Sequence, residues 1–276
     1  MEQIKKLNLA KLAFIGGGAM AEAIIKGIVG SGILAPDAIC VGGHNEKRCA
    51  YLRETYGVNA VIDNMEAVQN AAMVILAVKP QVAPVALTKE LAANIPQNAC
   101  VLSIMGSVSI EQLHGYVPNR AIIRTMPNTP LAVGAGMTAI CCDDKVSDAE
   151  LETAKAIFGC CGEVEVVAES AIEAIAAISG CGPGYAFVVI DALADAGVRA
   201  GLPRKLAIKL AAQTLAGSGK MCIETGEHPA VLRDQVTSPG GTTIAGIHAL
   251  ENHGVRGAFY DAVQAVLKRS NELQGK

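Results

Sequence analysis

Two stretches near opposite ends of this chain hold residue types that could do chemistry. The first is Phe-Ile-Gly-Gly-Gly-Ala-Met-Ala over 14–21. In Gly16-x-Gly18-x-x-Ala21, Gly16 permits a tight turn, Gly18 lets backbone approach a pyrophosphate, and Ala21 lets a helix lie close to the preceding strand. The chemistry would be dinucleotide binding, with the unpaired N–H groups and positive dipole end of the helix holding phosphates. The competing reading is a glycine-rich turn in some other α/β protein. The second stretch is Asp234-Gln-Val-Thr237-Ser238-Pro239-Gly240-Gly241-Thr242-Thr243, which runs into a helix over 244–251. Hydroxyls and backbone N–H groups gathered at a helix start suit a small anion, most simply a carboxylate. Here the competing reading is a capped helix start, with Thr242 or Thr243 as N-cap.

The elements that must position these stretches follow from hydrophobic periodicity. Residues 12–15 are a short apolar run typical of a buried parallel strand, and 19–29 read as a helix with Ile24, Ile25 and Ile28 on one face. Further strands are predicted over 39–41, 59–62, 73–78, 100–103 and 121–124, with helices over 46–56, 63–70 and 82–93 between them. Ser147-x-x-Glu150 is a capping box opening a helix over 151–158, and 163–167 alternates like an edge strand. From about residue 171 the pattern is nearly all helix: 171–179, a break at Gly180-Cys-Gly-Pro-Gly184, then 185–200, with Pro203 and Pro229 at later helix starts. The fold expected is α/β: a Rossmann-type, mostly parallel sheet domain over 1–167 and an all-α domain over 168–276.

Ligands of such sheets collect at the carboxyl ends of the strands. The strand over 39–41 ends in Gly42-Gly43-His44-Asn45-Glu46-Lys47-Arg48. An acid that would hold a ribose 2′-hydroxyl is absent from this tip, while small, amide and cationic residues cluster there, so a 2′-phosphate and hence NADP is favoured. Glu46 counts slightly against this, and Lys47 and Arg48 can also be read as an ordinary solvated helix start. Lys79, at a strand tip beside Pro80, is a candidate cofactor contact, and Thr125-Met-Pro-Asn-Thr-Pro130 makes a rigid loop on the same face.

Composition narrows the class. The 276 residues are 51% hydrophobic and 18% charged, which supports a large core and argues against disorder. A net charge of −3 and 3% aromatics without tryptophan argue against nucleic acid as partner. Nine cysteines occur without a CxxC spacing, and Cys141-Cys142 and Cys160-Cys161 are adjacent pairs. That pattern suits reduced, mostly buried thiols and neither a disulfide framework nor a metal site. Lys5, Lys6, Asn8 and Lys11 interrupt any signal-like apolar run, and no run of 18 apolar residues is seen, so a cytoplasmic protein without a membrane span is expected. The segments 171–178 and 185–200 are more apolar than solvated helices, which points to a homodimer formed through the C-terminal helices.

Taken together, these residues resemble the pyrroline-5-carboxylate reductase family nearly end to end. The resemblance is carried by the stretch at 14–21, Ala-Val-Lys-Pro at 77–80, Met-Pro-Asn-Thr-Pro at 126–130, Ser-Gly-Cys-Gly-Pro-Gly-Tyr at 179–185 and Val-Thr-Ser-Pro-Gly-Gly-Thr-Thr at 236–243. It implies a Rossmann domain, a helical dimerisation domain and NAD(P)H-dependent reduction of a cyclic imine, the last step of proline biosynthesis. NADPH is the expected cofactor, with NADH possible. Motif matching implies that the glycine loop Gly16, Gly17 and Gly18 with Ala19 and Met20 holds the pyrophosphate, with His44, Asn45 and Asn64 toward the adenosine half. Ala77, Val78, Lys79 and Pro80 then serve the ribose–nicotinamide half, and Ile104, Met105 and Gly106 lie under the nicotinamide. Ser238, Gly240, Gly241, Thr242 and Thr243 should hold substrate, Thr243 as the catalytic hydroxyl; Glu169 matches a substrate contact and Gln235 a cofactor contact. Assemblies of dimers are implied by the resemblance alone. The turn at 42–45 departs from the serine- or arginine-bearing versions commoner in the family. A β-hydroxyacid dehydrogenase would share the architecture but needs an acid/base lysine on the first long helix of its second domain, and none lies between Lys155 and Lys205. An NADP-sensing regulator would not need so complete a loop over 236–243.

Overall fold

Leu12–Ile15 is β1, four apolar residues all buried, as a strand covered on both faces requires. In the computed structural model the sheet extends from it both ways. β2 (Ile39–Gly42) and β3 (Asn59–Val61) lie on one side; β4 (Met73–Leu76), β5 (Cys100–Ser103), β6 (Ile122–Met126), β7 (Gly136–Cys142) and β8 (Gly162–Val166) lie on the other, in the order β3-β2-β1-β4-β5-β6-β7-β8. β1 to β6 are parallel, β7 runs antiparallel to β6, and β8 runs parallel to β7. Leu12 registers with both Ile39 and Met73, so β1, β2 and β4 end level. The chain order reverses between β1 and β4, which opens a crevice at their carboxyl ends. The structure describes residues 6–274, and Lys5 lies outside them.

Helices α1 (Ala19–Ser31), α2 (Glu46–Tyr56), α3 (Asn64–Val68), α4 (Ala83–Ala86), α5 (Lys89–Asn94), α6 (Ile110–Tyr116) and α7 (Asp148–Gly159) belong to the same unit. Alternate strand residues serve different cores. Leu12 and Phe14 pack with Ile24, Ile25, Ile28 and Phe158 on one face, and Ala13 and Ile15 pack with Val68, Leu91 and Leu113 on the other. Fully burying each large apolar side chain stabilises by roughly 1.5–3 kcal/mol.

The sequence reading meets three differences here. The helix predicted over 82–93 is broken at Leu87 and Thr88, because the Thr88 hydroxyl accepts from Leu91 N–H and starts α5 afresh. β7 carried no sequence signal: its residues are covered on both faces, so the polar alternation that marked 163–167 is missing. The segment predicted as one helix over 171–179 is a short 3-10 turn, α8 (Ile172–Ile175) and a wide π turn over 176–180.

The chain divides into two compact units, 1–180 with 269–276, and 181–268, whereas the sequence reading divides it at 167/168. The intervening segment joins the sheet unit because Ile172 packs with Ala139 and Cys141, and Asn128 Nδ2 donates to Ser179 O at 2.9 Å. Five cysteines are buried, and burial pushes the Cys141 thiol up to about 12, so these side chains act as small apolar groups.

The second unit holds α9 (Gly182–Arg199), α10 (Arg204–Thr225), α11 (Pro229–Gln235), α12 (Thr242–Asn252) and most of α13 (Val255–Gln274). α9 and α10 form a hairpin turning at Gly201, whose φ of +99° suits glycine. A Cβ on Gly197 would come within 3.1 Å of the Ala207 side chain, so small residues let the two helices approach. Among the described residues of this unit, Ala194, Ala207 and Ala211 are the buried apolar side chains, while Phe187, Val188, Ile223 and Tyr260 are each more than 60% exposed. The stretch Glu169–Arg199 is long and apolar enough, by length and composition, to cross a membrane, against the expectation that no stretch would qualify; Glu173, Asp191 and Asp195 had broken the uninterrupted runs sought in the sequence. A helical unit that buries three alanines and presents large apolar side chains needs a covering surface. A second copy of the chain would supply one, and light scattering is expected to give a stable dimer at micromolar concentration; a stable monomer would contradict this.

Candidate functional site

At the tip of β1 the chain must turn between two neighbours already bonded to it. Gly16 N–H donates to Gly42 O at 2.8 Å, and Ala77 N–H donates to Ile15 O at 2.9 Å. Gly16 takes φ +103°, and a Cβ there would sit 2.9 Å from Ala77 O. Only glycine meets both conditions. Gly17 packs under Leu52 and Val41, where a Cβ would approach within 3.1 Å. Gly18 is the N-cap of α1, with ordinary extended backbone and open space where a Cβ would be, and no side chain caps the helix. The first N–H groups of α1, those of Ala19 and Met20 among them, therefore have no side-chain cap and are placed where a ligand could take them.

Beside this turn, the β2 tip presents His44 and Asn45, both exposed. The Asn45 side chain is engaged as N-cap of α2, accepting from Arg48 N–H at 3.1 Å. A Cβ on Gly42 would fall 2.4 Å from Asn64 Oδ1, so glycine leaves that amide its place; the oxygen is buried and has no hydrogen-bond partner. An orphaned acceptor at the strand tip fits a site completed by a ligand donor. At the end of β4, Ala77 O faces Gly16, Val78 is half-buried, and Lys79 is exposed just before Pro80. At the end of β5, Ile104 N–H donates to Leu76 O at 3.2 Å and Gly106 is partly open. Met105 is 1% exposed and its N–H donates to Ser103 Oγ, so its side chain serves the core and only its carbonyl remains available. The structure thus brings the sheet-domain candidates together around one set of strand tips.

The second stretch belongs to the helical unit. Ser238-Pro239-Gly240-Gly241 is a turn closed by Gly241 N–H donating to Ser238 O at 3.0 Å, with Gly240 at φ +66°. Proline then glycine at its centre is the order a type II turn demands. α12 begins on Gly241 as N-cap with no side-chain cap, so neither Thr242 nor Thr243 plays that role, correcting the capped-helix alternative. Both threonines are exposed and their hydroxyls have no hydrogen-bond partner among the described residues. With the Gly241 N–H used in the turn, the free donors are the N–H groups of Thr242, Thr243 and Ile244. Gln235 is exposed at the end of α11 in the same unit.

Glu169 lies in the sheet unit. Its Oε1 accepts from Ile110 N–H at 2.7 Å and from Arg124 Nη1 at 3.1 Å, and the other Arg124 nitrogen reaches Glu173 at 2.8 Å. Arg124 is 4% exposed, so the two carboxylates offset a buried charge that would otherwise cost several kcal/mol, roughly 3–5 when such a pair is broken. Here Glu169 fastens the segment after β8 to the sheet, beside a hollow of about 500 Å³ shared with Ser109, Gln112, Ser170 and Glu173.

Around the glycine turn the structure assembles a cluster whose partners the sequence did not show. Arg48 Nε donates to Gly17 O at 2.7 Å, its guanidinium pairs with Glu22, and Tyr51 and Tyr56 hydroxyls donate to Glu22 Oε1 at 2.9 and 2.8 Å. Burial by itself would raise the Glu22 carboxyl, but the hydrogen bonds from Arg48, Tyr56 and Tyr51 outweigh it and hold the group below the usual carboxylate value. Helical spacing puts Arg48, Leu52 and Tyr56 on one face of α2, the available signal, but not which partner that face meets.

Comparison with known proteins agrees with both halves. Residues 169–273 match a family model described as pyrroline-5-carboxylate reductase dimerisation, and residues 11–107 match one described as coenzyme F420-dependent NADP oxidoreductase. The pyrroline-5-carboxylate reductase of Synechocystis sp. is 47% identical over 268 residues, covering 96% of this chain and 99% of that protein. Among solved structures, a pyrroline-5-carboxylate reductase from Coxiella burnetii has TM-score 0.89 at 35% identity, covering 96% of this chain and 99% of the other. A Plasmodium falciparum pyrroline carboxylate reductase with NADP bound has TM-score 0.84 at 30% identity, covering 98% of this chain and 99% of the other.

Gly18 offers a direct check on the site, because nothing in the protein itself demands glycine there. Gly18→Ala is expected to leave the melting temperature unchanged and to weaken NADPH binding at least about tenfold, read by nucleotide fluorescence, since the methyl group occupies the phosphate approach. Unchanged affinity would place the phosphates elsewhere.

Proposed function

This chain belongs to the pyrroline-5-carboxylate reductase family, and from that premise we propose how its residues divide the reduction of an imine between a nucleotide site and a substrate loop. The protein is an oxidoreductase that reduces the C=N bond of 1-pyrroline-5-carboxylate to L-proline, completing proline biosynthesis. The observation carrying the residue assignment is the start of α12: a glycine cap, unused N–H groups, and two unpartnered threonine hydroxyls in an intact loop. When bound, NADPH supplies the hydride. The chain's own residues bind, orient and complete the proton count.

The glycine loop Gly16–Gly18 with Ala19 and Met20 holds the pyrophosphate, and Asn64 Oδ1, toward the adenosine half, gains from a hydroxyl or amino group of the nucleotide the donor it lacks. Preference for NADPH over NADH rests on the β2 tip, where His44 and Asn45 stand and no acid does. Lys79, Ile104 and Gly106 serve the nicotinamide half from the β4 and β5 tips.

In the second site, the N–H groups of Thr242 and Thr243 and the positive end of α12 hold the substrate carboxylate. Ser238 and Gly240 shape the turn that exposes them. The Thr243 hydroxyl is then free to hydrogen-bond the ring nitrogen and to donate or relay the proton that nitrogen must acquire. No His, Lys or Asp lies within 236–243, so positioning and electrostatics carry most of the rate, and the imine can enter already protonated. The second unit acts as the dimerisation domain, so its exposed apolar helices are covered by a second copy; rings of dimers are a further step in the same proposal.

Thr243→Val keeps the shape and removes only the hydroxyl. It is expected to lower kcat by roughly 10- to 1000-fold, the span between losing an orienting hydrogen bond and losing a proton donor, with NADPH affinity unchanged. The melting temperature should also hold, because that hydroxyl caps nothing. Near-normal turnover in the folded variant would remove Thr243 from the mechanism and leave protonation to solvent or to the iminium.

A further inference from the structure

Beyond the assigned contacts, the underside of the glycine turn holds a charged cluster that the reaction does not itself require. Arg48 Nε donates to Gly17 O at 2.7 Å, and Nη2 approaches Gly18 O at 3.4 Å while pairing with Glu22. Glu22 sits in the first turn of α1 and is held from its other oxygen by Tyr51 and Tyr56. The guanidinium also stacks 5.1 Å from the centre of the Tyr51 ring. Six groups from α1, α2 and the turn are thereby locked to one another: Arg48, Glu22, Tyr51, Tyr56 and the carbonyls of Gly17 and Gly18.

The consequence follows from peptide geometry. In a trans peptide the C=O of one residue and the N–H of the next point in opposite directions. Fixing Gly17 O toward Arg48 therefore aims the Gly18 N–H to the opposite side, and Gly18 O, which accepts from Glu22 N–H at 2.9 Å as well as from Arg48, aims the Ala19 N–H with it, where unpaired helix donors meet phosphate. Charge points the same way. Glu22 alone would oppose a pyrophosphate near the start of α1, and the paired Arg48 cancels it.

We propose that Arg48 is a positioning residue that preorganises the dinucleotide turn, acting on the pyrophosphate through Gly17 and Gly18 and not on the 2′-phosphate. This differs from both readings available in the sequence, a 2′-phosphate cation and a solvated helix start, and it rests on the glycine turn being the pyrophosphate site. The pyrophosphate is common to NADPH and NADH, so both should be affected alike.

The test is Arg48→Met, which keeps most of the stem and removes the fork, with dissociation constants for NADPH and NADH measured by calorimetry. Both are expected to rise by a similar factor, roughly 10- to 100-fold, with their ratio unchanged within about threefold and the melting temperature of the nucleotide-free protein within a few degrees. KM for the nucleotide should rise while kcat at saturation holds, and amide exchange at 17–19 should quicken without nucleotide. Arg48→Lys keeps the charge but cannot hold Gly17 O and Glu22 together, so it should show an intermediate, equal loss; it carries the test if the methionine variant does not fold. Loss confined to NADPH would overturn the proposal in favour of 2′-phosphate recognition, and unchanged affinity for both would reduce Arg48 to a surface ion pair. Wild-type protein that bound neither nucleotide would instead refute the nucleotide site itself.

Discussion

The structure depends on a single crowded point, the tip of β1. Ile15 and Gly16 are bonded to the strands on both sides, through Ala77 N–H to Ile15 O and Gly16 N–H to Gly42 O. The chain has to leave that point in a left-handed conformation, with Ala77 O already where a side chain would go. Glycine is the residue that can do so, and its choice fixes where α1 begins and hence where its free N–H groups lie. The crevice, the orphaned Asn64 oxygen and the Arg48–Glu22 clasp are all arranged around this turn.

The two units use opposite strategies. The sheet unit buries its strands on both faces and ties its last segment down with a nearly inaccessible Arg124 between two glutamates. Its stability comes from its own core. The helical unit has small residues where its helices meet and large apolar ones outside, so its stability is linked to association. The loop over 236–243 on that unit, proposed to hold substrate, is built on the same terms: Pro239 and Gly240 make the turn, Gly241 caps the helix without a side chain, and two hydroxyls are left without partners among the described residues.

Much of this was legible in the sequence where a local rule decides the outcome. The glycine spacing at 16–21, the apolar strands read at 12–15, 39–41, 73–78 and 100–103, and the helix read at 244–251 are local and were read with small errors at their ends. β7 was not legible, because a strand buried on both faces loses its alternation. The tie of residues 168–180 to the sheet depends on Arg124 meeting Glu169 and Glu173 across the fold, which spacing cannot show. The same holds for Arg48: its charge was visible, but its partner 26 residues earlier was not. The thiols were read as mostly buried apolar groups from their count and spacing, and five of the nine are buried while the other four are half-buried.

As a pyrroline-5-carboxylate reductase, this chain moves a hydride from a reduced nicotinamide to a cyclic imine carboxylate. The most direct measurement is the fall in NADPH absorbance when 1-pyrroline-5-carboxylate is added to the purified protein, with proline quantified in the same samples. Imine-dependent oxidation is expected, with one proline formed per NADPH consumed. NADPH that stays reduced in the presence of the imine, in protein shown to bind the nucleotide, would contradict it.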